Sequence, residues 1–123
     1  MTFRFVGIDH VQLAAPSGCE QEARRFFGEL LGMPELEKPE ALRKRGGVWF
    51  QCGAQQLHIG VQSEFVPALK AHPAFEVNGL DALRSKLEAS GVAIVSDEPL
   101  PGVTRFHISD PFGNRIELVE QQG

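Results

Sequence analysis

The chain has 123 residues, 42% of them hydrophobic and 23% charged, with a formal net charge of -4 at pH 7. This length and composition suit one domain with its own core and exclude a disordered chain. The chain has no basic stripe, which excludes a nucleic-acid partner. It has no apolar segment of membrane length, which excludes a membrane span, and no apolar N-terminal stretch, which predicts a cytoplasmic protein.

The first half predicts a strand, a helix and further strands. Residues 8–14 alternate in polarity as a strand does. Ser17 and Glu20 have the spacing of a capping box, and apolar residues recur at helical intervals as far as Gly32, so a helix is expected between them. After an irregular stretch with two prolines, two strands are predicted around the short turn Gly53-Ala54, at residues 47–52 and 56–61.

The second half repeats this order after a connector at residues 62–70. A strand is predicted at residues 72–77, followed by a helix that Asn78 would cap and that would end at Gly91. Three further strands follow, the last two joined by the turn Asp110-Pro111-Phe112-Gly113-Asn114, at residues 92–96, 104–109 and 115–119.

Residues with metal-ligand chemistry recur at matching places in the two halves. His58 follows His10 by 48 positions, and Glu117 follows His72 by 45. We therefore predict a single domain over residues 1–123 built from two βαβββ modules, module one at about 1–62 and module two at about 70–120. Each module is near the lower size limit for folding alone, so the two must cover one another or a second chain.

The alternation of side chains divides each strand into two faces. One face is apolar and is expected to pack against the helices, while the opposite face carries all four histidines and no lysine. Three imidazoles and a carboxylate in matching register predict a site for one divalent ion, formed by His10, His58, His72 and Glu117.

Other residues on the polar face are candidates for substrate contact and proton transfer. His107 has no histidine counterpart in module one, where Trp49 is nearly equivalent, so we predict that it contacts substrate or transfers a proton. Glu76 is the other candidate base. Trp49, Gln12 and Arg105 are predicted substrate contacts, although arginines in strands more often pair with neighbouring acids.

The cysteines carry no predicted chemistry. Cys19 and Cys52 form no C-x-x-C pair, and no serine or cysteine lies in a nucleophile motif, so both are expected to be reduced, packed thiols.

The chain resembles the vicinal-oxygen-chelate superfamily over nearly its whole length. This superfamily includes glyoxalase I, bleomycin-resistance proteins, fosfomycin-resistance thiol transferases, methylmalonyl-CoA epimerase and extradiol dioxygenases. The resemblance lies in Ile8-Asp9-His10-Val11, Phe26-Phe27-Gly28-Glu29-Leu30-Leu31-Gly32, Leu57-His58-Ile59, His72-Pro73-Ala74-Phe75 and Asp110-Pro111-Phe112-Gly113-Asn114-Arg115-Ile116-Glu117-Leu118.

The resemblance implies an α+β fold of cupped mixed sheets with helices on the convex face. It places His10, His72 and Glu117 on the superfamily's three commonest ligand positions and His58 on a fourth, around Zn, Ni, Mn, Fe or Co. It also implies a homodimer whose sites lie at the subunit interface, with His10 and His58 of one chain meeting His72 and Glu117 of the other. The implied function is a metal-dependent enzyme of the glyoxalase or epimerase type acting on a small oxygenated or carbonyl substrate.

Two alternatives share this scaffold. A dimeric binding protein of the bleomycin-resistance type would use the same cup, with Trp49, Phe50 and Phe106 as apolar walls. A thiol transferase of the fosfomycin-resistance type is disfavoured because the chain has no tyrosine, whereas those enzymes have one where His107 stands. His58 also departs from bacterial glyoxalase I, which has glutamate there, and extradiol dioxygenases are about twice this length.

Overall fold

A computed structural model describes residues 2–122 of the chain. Two mixed sheets pack against a few helices, as the α+β prediction requires. The first sheet has the order β1-β4-β3-β2, with strands β1 (His10–Ala15), β2 (Glu35–Leu36), β3 (Val48–Cys52) and β4 (Gln55–Val61). The second has the order β5-β7-β6, with strands β5 (Ala74–Glu76), β6 (Val103–Ser109) and β7 (Arg115–Gln121).

The two sheets repeat one pairing pattern. In each, the first strand of the module runs parallel to the last, β1 beside β4 and β5 beside β7. The last strand pairs antiparallel with its predecessor, β3 with β4 and β6 with β7. In the first sheet His10 and His58 therefore lie on neighbouring strands, and in the second His72, just before β5, lies beside Glu117 of β7.

The first helical segment begins later than the capping-box prediction. Helix α1 (Glu20–Ala23) has Cys19 at its N-cap without a side-chain hydrogen bond, so the predicted role of Ser17 was wrong. The Glu20 carboxylate instead accepts a hydrogen bond from the Gly47 backbone N–H at 2.7 Å. The segment continues as a π-helix over Arg24–Leu30. A 3₁₀ helix follows the irregular stretch, at Glu40–Arg45.

Helix α2 (Leu80–Ala89) is also capped differently from the prediction. Its N-cap is Gly79 without a side-chain cap, so the cap predicted at Asn78 was wrong. The backbone N–H groups of Gly79 and Leu80 donate to the carboxylate of Glu120 at 2.9 and 3.1 Å. A carboxylate from β7 therefore stabilises the positive end of the helix dipole.

Both predicted C-terminal glycines are confirmed. Gly32 and Gly91 have φ of 75° and 81°, a left-handed conformation that glycine adopts without steric cost. The strand predicted at residues 92–96 is reduced to one antiparallel bridge between Val95 and His107.

The core lies on the apolar faces of both sheets. It joins the two modules in one cluster, and its largest fully buried side chains are Phe27, Phe50, Leu57, Ile59, Leu80, Leu87, Phe106, Ile108, Ile116 and Leu118. Helix residues Leu80 and Leu87 belong to this set, which confirms that the helices cover the face opposite the histidines. No helix within residues 2–122 is long and apolar enough to cross a membrane.

Candidate metal centre

Three potential ligands converge on the polar face of the second sheet. His107 of β6 lies directly opposite Glu117 of β7 in the antiparallel register, and His72 precedes the edge strand β5 by two residues. One ligand atom from each residue lies within 4.8 Å of the other two. We call His72, His107 and Glu117 the module-two cluster.

The two nitrogens of His72 face two acceptors. Nδ1 lies 2.8 Å from the backbone carbonyl oxygen of Lys70, and Nε2 lies 3.0 Å from Glu117 Oε1. A carbonyl oxygen only accepts, so Nδ1 carries the proton and donates it. Nε2 then directs a lone pair at a carboxylate oxygen unless a cation lies between them. Two acceptors therefore face each other at this point, and a cation between them would satisfy both.

Glu117 is held as a carboxylate. Burial by itself would raise its pKa, but the contact with His72, the hydrogen bond from Arg105 and the charge of Arg105 outweigh burial and lower the pKa. Arg105 Nη1 lies 3.3 Å from Glu117 Oε2, whereas the two histidines face Oε1. The predicted substrate contact Arg105 thus pairs with this acid and, at 3.7 Å, with Asp97.

His107 is the most enclosed member of the cluster. Its side chain is 3% exposed, and neither ring nitrogen has a hydrogen-bond partner among the described residues. Nε2 lies 3.4 Å from Glu117 Oε1, and Nδ1 lies 3.6 Å from Asp97 Oδ2, both beyond a well-formed hydrogen bond. Burial, followed by the charge of Arg115, lowers the pKa of His107 and favours the neutral ring.

Module one carries a stack of three aromatic rings. The imidazoles of His10 and His58 stack with centroids 4.2 Å apart, and the Trp49 indole lies over His58 at 3.8 Å with 2° between the planes. Burial, followed by the charge of His10, lowers the pKa of His58. His10 Nδ1 lies 2.9 Å from Asp9 Oδ1, and His58 Nε2 lies 2.9 Å from Gln56 Oε1.

The strand registers relate the two ligand pairs. Gln12, two residues after His10, lies opposite His58, just as Ala74, two residues after His72, lies opposite Glu117. Trp49 lies opposite His58 as His107 lies opposite Glu117. The near-equivalence of Trp49 and His107 expected from the sequence is therefore an equivalence of register.

One chain does not gather all four predicted ligands. His72 and Glu117 meet directly, whereas His10 and His58 meet each other on the other sheet and contribute no atom to the module-two cluster. Gln12, His72 and Glu76 line a groove of about 1240 Å³ between β1 and β5 that reaches neither His107 nor Glu117. His72 is the only member of the module-two cluster that lines this groove. We therefore place the candidate site at the cluster, where the potential ligands meet, and not in the groove.

One acid beside the site was not predicted from the sequence. Asp97, in the loop before β6, lies beside His107 and Arg105, and no pattern in that loop marks it. Asp110 and Asn114 are buried and bonded to each other, so the turn they occupy is structural. Burial raises the pKa of Asp110, although hydrogen bonds from Asn114 and neighbouring backbone oppose this.

The cysteines have the environments predicted. Among the described residues, Cys19 is a buried free thiol and Cys52 a partly buried one. Burial is the largest cause raising the pKa of both, so both are protonated at neutral pH.

Comparison with known proteins points to one superfamily. The sequence profile of the Glyoxalase/Bleomycin resistance protein/Dioxygenase superfamily matches residues 7–118. A solved glyoxalase family protein from Bacillus anthracis is 54% identical, with a TM-score of 0.95, covering 99% of this chain and 100% of that chain. Comparison with curated proteins gave no match.

More distant solved structures share the fold. A glyoxalase family protein from Enterococcus faecalis is 25% identical, with a TM-score of 0.73, covering 94% of this chain and 98% of that chain. A lactoylglutathione lyase from Agrobacterium tumefaciens is 22% identical, with a TM-score of 0.72, covering 94% of this chain and 93% of that chain. The likeness to the lyase is one of fold alone.

Proposed function

The chain belongs to the Glyoxalase/Bleomycin resistance protein/Dioxygenase superfamily, and from this premise we propose that it is a metal-dependent enzyme of the glyoxalase or epimerase type. Its substrate is a small oxygenated or carbonyl compound whose two adjacent oxygens chelate a divalent ion. The observation that carries the proposal is His72, whose Nε2 faces a carboxylate oxygen while Nδ1 donates to a carbonyl. A divalent ion between Nε2 and the carboxylate would satisfy both acceptors.

The donor set fits a divalent ion of the first transition row. Metal-binding histidines commonly use one ring nitrogen as ligand and hold the other by a hydrogen bond to an acceptor. His10, His58 and His72 each have one nitrogen beside an oxygen, of Asp9, Gln56 and Lys70 respectively. Each retains a second nitrogen for an ion. Imidazole and carboxylate donors suit Zn, Ni, Mn, Fe or Co.

We propose that a second copy of the chain completes the site. His10 and His58 lie on the first sheet, whereas Glu117 lies on the second and His72 just before its edge strand β5. In a twofold homodimer, the pair from one protomer would face the pair from its partner, which gives two equivalent sites. The predicted cytoplasmic location stays a prediction.

The remaining polar-face residues would bind substrate and move a proton. When bound, the ion supplies a Lewis acid that polarises a carbonyl oxygen and stabilises negative charge on it. Arg105 neutralises charge beside Glu117, Trp49 offers an apolar wall, and Gln12 offers an amide in the groove between β1 and β5. Glu76 and His107 are the candidate bases. Glu76 is exposed and lines that groove, so a substrate can reach it.

The proposal is tested by elemental analysis of protein purified without chelator or affinity tag, followed by a substrate panel with the identified metal restored. Trp49 is the only tryptophan in the chain and stacks on His58, so its fluorescence should change when an ion binds. His72→Ala and Glu117→Ala should lose the ion and this response. Glu88→Ala, at an exposed helix position, is the matched control.

Two outcomes would contradict the proposal. Full metal occupancy in His72→Ala or Glu117→Ala would remove these residues from the ligand set. A wild-type protein that binds no ion but retains a planar compound would favour the bleomycin-resistance type of sequestering protein.

A further inference from the structure

We propose that His107 is a metal ligand, and that His72, His107 and Glu117 form a divalent-ion site within a single chain, whether or not His10 and His58 of a second copy join it. This inference deepens the proposed function and rests on it. It changes the role of His107 from the proton transfer predicted from sequence to ligation, which leaves Glu76 as the base.

The burial of His107 is the first argument. Its side chain is 3% exposed, and both nitrogens lack a hydrogen-bond partner within residues 2–122. A buried polar group without a partner is costly, and such groups in native proteins call for an explanation. An apolar ring would fill this position without that cost. The imidazole is therefore explained best by something that binds its nitrogen.

A proton does not satisfy the cluster, whereas a metal ion does. His72 Nε2 and His107 Nε2 approach the same oxygen, Glu117 Oε1, at 3.0 and 3.4 Å. A proton on His72 completes its bond to Oε1 and leaves His107 unpartnered. An ion among the three atoms uses both imidazole lone pairs and the carboxylate together. Arg105 engages the other carboxylate oxygen, so Oε1 remains available.

The surroundings of the two imidazoles are those of ligands. His72 Nδ1 donates to the Lys70 carbonyl, which directs Nε2 toward the cluster. Asp97 Oδ2 lies 3.6 Å from His107 Nδ1, so a small movement of its loop would give that nitrogen a carboxylate partner. Arg105 and Arg115 also lie within 4.0 Å of Asp97 and keep it near this position. A carboxylate behind a ligand histidine fixes the ring and raises its basicity.

Comparison of the modules shows why only module two has a complete set. The register position of His107 is occupied by Trp49 in module one, and indole is no metal ligand. Module one therefore offers two imidazoles, and module two offers two imidazoles and a carboxylate. Two histidines and one carboxylate bind divalent ions with positions left open for substrate oxygens.

The experiment titrates metal-free protein with Co²⁺ alone and records both affinity and the visible absorption spectrum. The background is the His10→Ala/His58→Ala double variant, in which the module-two cluster is the only part of the proposed ligand set that remains. We expect one Co²⁺ per chain in this background. Adding His107→Phe should weaken binding by more than about 100-fold, beyond the range for a residue behind a ligand, and should change the spectrum.

Thermal unfolding of the metal-free variants checks that each of them folds. His107→Gln is a second substitution at this position in case phenylalanine does not fit. Unchanged Co²⁺ affinity and spectrum after both substitutions would overturn the ligand role. A double variant that binds no Co²⁺, while wild type does, would overturn the single-chain site.

Failure of the proposed function has a different signature. If wild type binds no Co²⁺, both ideas fail. If His72→Ala abolishes binding while His107→Phe does not, the proposed function stands and only this inference fails.

Discussion

Replacing Asn114 by alanine should cost about 3 kcal/mol of unfolding free energy, because this side chain ties together three segments that position the site. Its Oδ1 accepts a hydrogen bond from the backbone N–H of Ala68 at 2.9 Å. Its Nδ2 donates to the Ala14 carbonyl of β1 at 2.8 Å and to Asp110 Oδ2 at 2.9 Å. The side chain is 2% exposed, so water cannot replace these bonds without rearrangement.

The magnitude follows from the three bonds. Each neutral hydrogen bond contributes about 0.5 to 1.5 kcal/mol, and a bond to a charged group about 1.5 to 3. The two backbone partners are only partly buried, so their loss falls at the low end. With an unfolding entropy of about 2.1 cal/mol/K per residue, a loss of about 3 kcal/mol lowers Tm by roughly 12 °C for a chain of this length.

The assay is thermal unfolding of metal-free protein at one protein concentration and pH 7. Asn78→Ala is the control, since this exposed asparagine makes no cap at α2, and its effect should stay within about 0.5 kcal/mol. Asn114→Asp should be at least as damaging as alanine, because it sets a second carboxylate against Asp110. The reasoning would be refuted if Asn114→Ala lowered Tm by less than about 4 °C. It would also be refuted if Asn114→Asp were more stable than Asn114→Ala at pH 7.

Three further predictions concern the site. Mixing inactive His10→Ala and Glu117→Ala variants under subunit exchange should restore up to about half of the activity per heterodimer, since one of two shared sites is intact; no recovery despite exchange would contradict shared sites. Chelation should abolish turnover reversibly, and activity that survives metal removal but disappears in Cys52→Ser would argue for a thiol mechanism instead. Burial lowers the pKa of His107 and of His58 below 6.5 in the folded protein. As the pH falls, these histidines therefore bind protons in the unfolded chain before they do so in the folded one. Metal-free protein should lose stability from about pH 6.5 toward pH 5. His107→Phe should flatten that dependence in thermal unfolding, and a flat wild-type profile would contradict it.

The sequence alone determined most of the elements, their order and the spacing of the predicted ligand pairs. Strand alternation and helical periodicity are properties of neighbouring residues, so they predicted most of the strands, both helices and the apolar faces that pack together. The matched spacings of His10 with His58 and of His72 with Glu117 reflect a repeated module, and the members of each pair do contact each other.

Helix caps depended on residues far away in the chain. The predicted caps at Ser17 and Asn78 were reasonable from local spacing, yet α2 receives its cap from Glu120, 40 residues beyond Leu80. The strand expected at residues 92–96 shrank to a bridge at Val95 for a similar reason. Whether an apolar run pairs as a strand depends on the partner edge available to it, which local pattern does not contain.

The tertiary structure alone decided the membership of the module-two cluster. From the sequence, His107 was set apart from the predicted ligands because it has no histidine counterpart in module one. No sequence pattern marked Asp97 as a site residue. The β6–β7 register sets His107 opposite Glu117, and the bridge at Val95 and the loop before β6 bring Asp97 beside His107. Ligand distances depend on strand register and on burial, which arise when the sheets pair and pack, whereas the sequence encodes only which face each side chain shares.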